Sequence, residues 1–457
     1  MGRQYILILY IIATIIIGLI FKKKDNYNSF HGTNLGTLMC VAIGAGEWLG
    51  GNSTIGVAEY GYEFGLSATW YTMANAIGIL FLSLFLSNYY RKLNVSTVSE
   101  ILDITIGKKT GRLSSIILML VSLIIGTSQL ISIASIAEIF NIKYYITIVV
   151  FGVFITLFTI FGGIKSIGNM NIIHIVIMYS GIVLSMVYLF IKTKNNGLST
   201  LPSEYFNISS IGYNKISSWL LASTLGACTA QAGIQPILVA KNQTVAKKSS
   251  FLTALIVAPF GLLVSILGMF SKVIFPELDD SKLALPTLIN EMNPIISGIL
   301  LSAIIASIMS TIAPIMLSFS TLFMKNIYKS KGDDKNSLYI SKIMIFLFGT
   351  LCIVLASFLY SKTKILDFVY IAYSIRSALF VALILGIKWE KTTDMGTFFG
   401  IIISSIICLY WKIYYNNHGF FPMSVKLNET IIIIIATLVF IVLFSLITRK
   451  RKEMVKK

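Results

Sequence analysis

Charge, histidine, cysteine and proline are all sparse in this chain. Charged residues make up 12% of its 457 positions, and it holds 3 His, 4 Cys and 8 Pro. With 56% hydrophobic residues beside so little charge, disorder and most soluble classes are excluded. Cys40, Cys228, Cys352 and Cys408 sit inside apolar runs at no metal-like spacing and read as small core residues. No nucleophile–base pair, metal-ligand cluster or pair of catalytic carboxylates stands at a useful spacing, so an enzyme is not expected. The longest gaps between apolar runs, such as 192–215, are too short for a soluble domain.

Apolar runs fill the chain instead. Thirteen membrane spans are expected, at about 5–21, 35–57, 66–90, 113–140, 144–161, 171–191, 216–240, 252–275, 294–323, 340–360, 365–387, 396–415 and 430–447. The expected fold class is an all-α polytopic membrane protein. Its net charge of +18 follows topology rather than nucleic-acid binding. With the N-terminus outside, "FKKKDN", "YRKLNVS", "GKKTGR", "AKNQTVAKK", "MKNIYKSKGDDK" and the tail "TRKRKEMVKK" face the cytoplasm. About 25 of the 37 Lys and Arg then lie inside, about 11 outside and one within a span. Anionic lipid on the cytoplasmic side is the natural partner of that excess. The first span precedes Lys22, Lys23 and Lys24 without a small-residue cleavage site, so it is expected to be a retained helix in the cell membrane.

One of these runs carries the wrong residues for lipid. "GAGEWLGGNSTIGVAEYGYEFGL", 44–66, mixes many glycines with Glu47, Trp48 and Asn52. Gly44, Gly46, Gly50 and Gly51 weaken the helix near its middle, and open backbone at that depth must face protein or a watery cavity. Close helix packing through Gly46 and Gly50 is the plainer alternative. A comparable interruption recurs five spans later in "STLGACTAQAGIQPILVA", with Gly226, Gly233, Pro236, Gln231 and Gln235. Paired interruptions of this kind point to a midplane binding site between two halves of a transporter. Spans two to six and seven to eleven make two sets of five, and an odd number per set inverts the second. The expected units are 1–33, a leading helix and loop; 34–191, the first repeat; 192–215, an outer loop; 216–388, the second repeat; and 389–457, two peripheral helices with a basic tail.

The ninth span adds hydroxyls. In "SAIIASIMSTIAPIMLSFSTLF", Ser307 shares a helical face with Ser310 and Thr311, and Ser318 follows. Hydroxyls and opened carbonyls suit a hard monovalent cation, although such hydroxyls also commonly bond back to their own helix.

At this point a resemblance becomes specific. "EWLGGNSTIGVAEYGYEFGL", "YRKLNVSTVSEIL", "FTIFGGIKSIGNMN", "LGACTAQAGIQ", "GILLSAIIASIMSTIAPIMLSFSTLFMKNIYK" and "LGIKWEKTTDMG" resemble, in order, segments of the sodium:solute symporter family. The resemblance implies an inverted repeat of five plus five helices and uptake driven by sodium. It also implies a sodium site made by the carbonyls of Gly46, Leu49 and Ser307 with the hydroxyls of Ser310 and Thr311. No organic cofactor is implied. The solute would lie between the broken helices, with Glu47, Trp48, Asn52, Ser53, Tyr71, Asn75, Gln129, Gln231, Gln235 and Arg376 as candidates. Within the family, "WLGGNSTIGVAE" resembles the high-affinity choline transporter branch, and Trp48 falls on one of its caging aromatics. Asn75, Ser128 and Ala230 stand at other cage positions, so the full choline cage is not carried over.

Arg376 and Glu47 are ionisable groups inside spans, and such groups are functional candidates by default. Arg376 could clamp a solute carboxylate while Glu47 meets an amine; a structural pair with each other or with Asp367 is the alternative. The family's usual threonine–aspartate pair and later glutamine are replaced by Met170, Asn171 and His174. The expected activity is sodium-coupled import of a small zwitterion, amine, amino acid or carboxylate, by a monomer or homodimer. A transporter-fold sensor is the alternative, and the chain ends at "TRKRKEMVKK" without an output module.

Overall fold

The computed structural model describes residues 2–20, 31, 34–193, 197–330, 335–362, 364–418 and 427–455. The "FKKKDN" loop and the last two lysines lie outside them. In lipid every backbone polar group must be satisfied within its own segment, and the apolar runs accordingly fold as helices. The principal ones are α1 (Gly2–Ile20), α2 (Thr37–Trp48), α3 (Val57–Phe64), α4 (Trp70–Phe81), α5 (Lys108–Ala134), α6 (Tyr144–Lys192) and α7 (Tyr213–Ala227). They continue as α8 (Gln231–Leu238), α9 (Gln243–Ile274), α10 (Pro294–Leu322), α11 (Lys335–Leu359), α12 (Ile365–Lys388), α13 (Asp394–His418) and α14 (Glu429–Val455). Among the described residues, nine helical runs are long and apolar enough to cross a membrane, while Gly2–Gly18 and Thr37–Trp48 are shorter apolar helices.

One expected loop is largely helix. Residues 162–170 join the fifth and sixth expected spans within α6, and the interruption narrows to Gly163 at φ 65° and ψ −180°. Only glycine takes that conformation without strain, so one residue does the turning. Asn171 and His174 are thereby drawn onto a buried helical face.

Both anomalous stretches are broken. α2 stops at Trp48, Leu49 leaves helical geometry at φ −103° and ψ 58°, and a π turn over Asn52–Gly56 leads into α3. α7 stops at Ala227, and α8 starts at Gln231 after Ala230 adopts an extended conformation. The two are tied at one end: Leu35 N donates to Val239 O and Lys241 N to Leu35 O, both over 2.9 Å. α8 also packs along α2.

α10 is the central post. Nearly all its residues from Ser297 to Leu322 are buried, and it packs against α1, α2, α5, α6 and α11. α13 and α14 form a hairpin that rests on α12.

Candidate functional site

The break after α2 faces α10 at close range. Thr311 Oγ1 donates to Gly46 O over 2.6 Å, and Ser310 Oγ lies 3.2 Å from the same oxygen. Ser310 Oγ also donates to Ser307 O over 2.8 Å, so the back-bonded and the cross-helix arrangements coexist. Ser307 Oγ stands 3.2 Å from Thr54 Oγ1. Glycine permits the approach. A Cβ on Gly46 would collide with Asn171 Nδ2 and stand 3.1 Å from Ser310 Cβ. On Gly50 it would be 2.5 Å from Thr311 Oγ1 and 2.7 Å from Gln129 Oε1. Leu49 is wholly buried at the turn itself.

Pro314 explains a further contact. It lacks the N–H that would bond back four residues, which frees the Ser310 carbonyl. Asn171 Nδ2 donates to that carbonyl over 3.2 Å. The amide thus stands in for a missing helical hydrogen bond beside the hydroxyl pair.

On the far side of the break lies a buried aromatic and charged group. The Arg376 guanidinium carbon is 4.1 Å from the ring centre of Tyr373 and 5.8 Å from that of Trp48. Trp48 meets Tyr373 edge-on at 6.4 Å, and the Tyr71 and Tyr373 hydroxyls are 3.2 Å apart. Gly233 of α8 makes room for Trp48, since a Cβ there would stand 2.8 Å from its ring. No carboxylate lies within 4 Å of Arg376 among the described residues. Glu47 Oε2, Asn52 Oδ1, both polar atoms of Asn75, and Arg376 Nε and Nη2 are buried without a hydrogen-bond partner. Unpartnered buried groups are costly, and a polar ligand would satisfy them.

Other candidates bond to the scaffold, while Gln129 Nε2 is also buried without a partner. Gln129 Oε1 accepts from Gly51 N over 2.7 Å and holds the break open. Ser53 Oγ donates to Gly50 O over 2.9 Å and patches it from within. Gln231 does not join the group: it accepts from Val98 N over 2.8 Å and donates to Ser96 O over 3.2 Å. Gln235 Oε1 accepts from Ser318 Oγ over 2.6 Å, linking α8 to α10. His174 stays buried, its ring 6.1 Å from Tyr10. Tyr373 was not singled out from the sequence, although it lies three residues before Arg376 on the same helical face; that spacing was the available signal.

Above this group the stacked rings of Trp219 and Tyr370, 4.8 Å apart, floor a polar cavity of about 210 Å³. Ion pairs tether α3 and the start of α7 to the start of α12: Glu63 to Lys364 at 2.5 Å, and Lys215 to Asp367 at 3.0 Å.

A family model described as the sodium:solute symporter family matches residues 30–404. The sodium/myo-inositol cotransporter 2 of Bos taurus is 24% identical, over 89% of this chain and 69% of its own. The high affinity choline transporter 1 of Homo sapiens is 23% identical, over 70% of this chain and 59% of its own. In structure, the chain superposes on a Na+-coupled sialic acid symporter in a substrate-bound outward-open state with TM-score 0.81, 18% identity and 98% of each chain covered. A nucleobase–cation-symport-1 family transporter in a closed conformation with bromovinylhydantoin bound gives TM-score 0.60 and 13% identity, covering 92% of this chain and 94% of its own. At those identities the superpositions establish the fold alone.

Proposed function

We propose that this chain, which belongs to the sodium:solute symporter family, imports a small organic solute together with sodium by alternating access. The observation that carries the reading is the meeting of Ser310 and Thr311 with the Gly46 carbonyl at the break, beside the unpartnered atoms Glu47 Oε2 and Arg376 Nε and Nη2. The sodium site is assigned to the carbonyls of Gly46, Leu49 and Ser307 and the hydroxyls of Ser310 and Thr311. These are neutral, hard oxygen donors, which suit a monovalent cation.

The solute is assigned to the space bounded by Glu47, Trp48, Asn52, Tyr71, Asn75 and Arg376. A carboxylate on Arg376 and an amine on Glu47 would complete the unpartnered groups, which favours a zwitterion such as an amino acid. Choline fits poorly, because Arg376 already lies over the rings of Trp48 and Tyr373. A second cation placed there would meet a like charge in a poorly screened site. The relatives' named solutes, myo-inositol, choline and sialic acid, share no common headgroup and transfer none to this chain.

The architecture proposed with this activity is thirteen spans with two inverted sets of five, a leading helix and a trailing pair. The basic loops face the cytoplasm and its anionic lipids.

A sodium ion moving down about 100 mV gains roughly 2.3 kcal/mol. A tenfold concentration gradient adds about 1.4 kcal/mol, enough together for roughly 500-fold accumulation of a neutral solute. Coupling requires both ligands to favour the same conformation, since equal binding to both shifts nothing. The test is uptake by proteoliposomes of the amino acids, amines and carboxylates that stabilise the purified protein in sodium. Accumulation that follows an imposed sodium gradient supports the reading. Solute binding without accumulation would make the protein a sensor instead.

A further inference from the structure

A cavity of about 400 Å³ lies where the first turns of α9 meet the end of the helical run that begins with α4. Its lining includes Asn88, Thr244, Lys247 and Lys248, with Leu84 and Phe251 beside them. Both lysines are exposed and form no ion pair among the described residues. The two segments that build it, 82–95 and 241–251, hold Arg91, Lys92, Lys241, Lys247 and Lys248 and no Asp or Glu. The positive end of the 32-residue helix α9 points the same way, its Asn242 cap accepting from Val245 N over 2.8 Å. Ser83 Oγ donates to Lys247 O over 2.9 Å and fixes the two walls together.

Two apolar rails run from the lysines toward the membrane interior. On α9 the exposed Phe251, Leu255 and Leu262 share one helical face. On the neighbouring run Leu84 and Ile77 are exposed, and the two helices pack along each other. The cationic pocket therefore sits at the boundary carrying the basic loops, directly beneath apolar surface suited to acyl chains. Free phosphate would leave the rails unused, and a neutral lipid would leave the lysines unpaired.

We infer that this cleft binds the headgroup phosphate of an anionic phospholipid, with its acyl chains along the Phe251–Leu255 and Leu84–Ile77 faces. Each basic side chain near an anionic surface adds a factor of several in affinity. Loss of both lysines is expected to weaken binding on the order of tenfold to thirtyfold.

The test uses the full chain. Phosphatidylglycerol retention is read by native mass spectrometry, and thermal unfolding is compared in nanodiscs of phosphatidylcholine with and without phosphatidylglycerol. Wild type should retain phosphatidylglycerol and unfold at a higher temperature in its presence. Lys247→Gln/Lys248→Gln should lose both effects. Lys108→Gln/Lys109→Gln, which removes two exposed lysines elsewhere in the basic loops, should keep them. Equal retention by wild type and the 247/248 variant overturns the assignment. So does an equal loss in the 108/109 variant, which would mean diffuse charge. Stabilisation by soluble glycerol 1-phosphate equal to that by the lipid would make it a free-anion site and also overturn it.

Discussion

Thr311 Oγ1 donates to the carbonyl of Gly46 over 2.6 Å, and Gly50, where a Cβ would stand 2.5 Å from that hydroxyl, leaves room for it. A main-chain oxygen released by a helix break and a hydroxyl from the central post therefore share one small space. In the proposed site sodium takes both oxygens. Replacing Ser310 and Thr311 together with alanine should raise the sodium needed for half-maximal uptake by on the order of tenfold or more. Sodium-dependent thermal stabilisation of the purified variant checks this directly, and an unchanged sodium response would falsify the site.

Asn171 donates to the Ser310 carbonyl that Pro314 leaves free. Asn171→Asp removes the donor and sets a carboxylate against that carbonyl, a change expected to cost about 1–3 kcal/mol. A cation or a proton between the two oxygens would restore the contact. Stability of the variant should therefore recover at high sodium or at acidic pH, whereas Asn171→Ala should recover under neither. Denaturation curves across sodium concentration and pH separate the two.

Gly46→Ala places a methyl group against Asn171 and Ser310. Overpacking of this kind typically costs about 1–3 kcal/mol. Adding Asn171→Ala should return part of the lost stability, because the first atom in the way belongs to that amide. Measured costs that simply add would show that the two residues do not meet.

Arg376 lies against Tyr373 with Nε and Nη2 unpartnered. Arg376→Met should abolish solute-dependent stabilisation while sodium-dependent stabilisation persists, since the hydrogen bonds of Gly46, Ser310 and Thr311 do not involve its guanidinium. Arg376→Lys keeps the charge but loses the planar two-pronged donor, and should recover only part of the solute response. Loss of the sodium response in either variant would show that Arg376 holds the scaffold instead.

The Glu63–Lys364 and Lys215–Asp367 pairs tie α3 and the start of α7 to the start of α12, and both are partly exposed; in the proposed topology these are the outer halves of the broken helices. Pairs of this sort contribute about 0.2–1 kcal/mol. Lys364→Ala should therefore shift the conformational balance outward by at most roughly fivefold. A Ser218→Cys reporter in the polar cavity above Trp219 and Tyr370 should then react faster with a membrane-impermeant maleimide. No change in rate would mean that the pair does not gate the outside.

Composition and the order of residues settled much of this protein. Long apolar runs leave the backbone no choice but helix, and the glycines at 44–51 and 226–233 locate the two breaks, because open backbone at that depth needs close neighbours. Ser310 and Thr311 were legible as polar positions on one face of an apolar helix. Spacing alone did not give their partner: Gly46 and Thr311 are 265 residues apart, and only the family resemblance put them in one site, since a pattern along one helix says nothing about which helix it will face. The tertiary structure alone decided that Arg376 covers Trp48 and that Gln129, Gln231 and Gln235 brace backbone and side chains of the scaffold. It alone showed Asn171 answering Pro314. A buried polar group takes its role from whichever unpaired atom the packed fold brings within about 3 Å, and that is a property of the assembled helices rather than of any one of them.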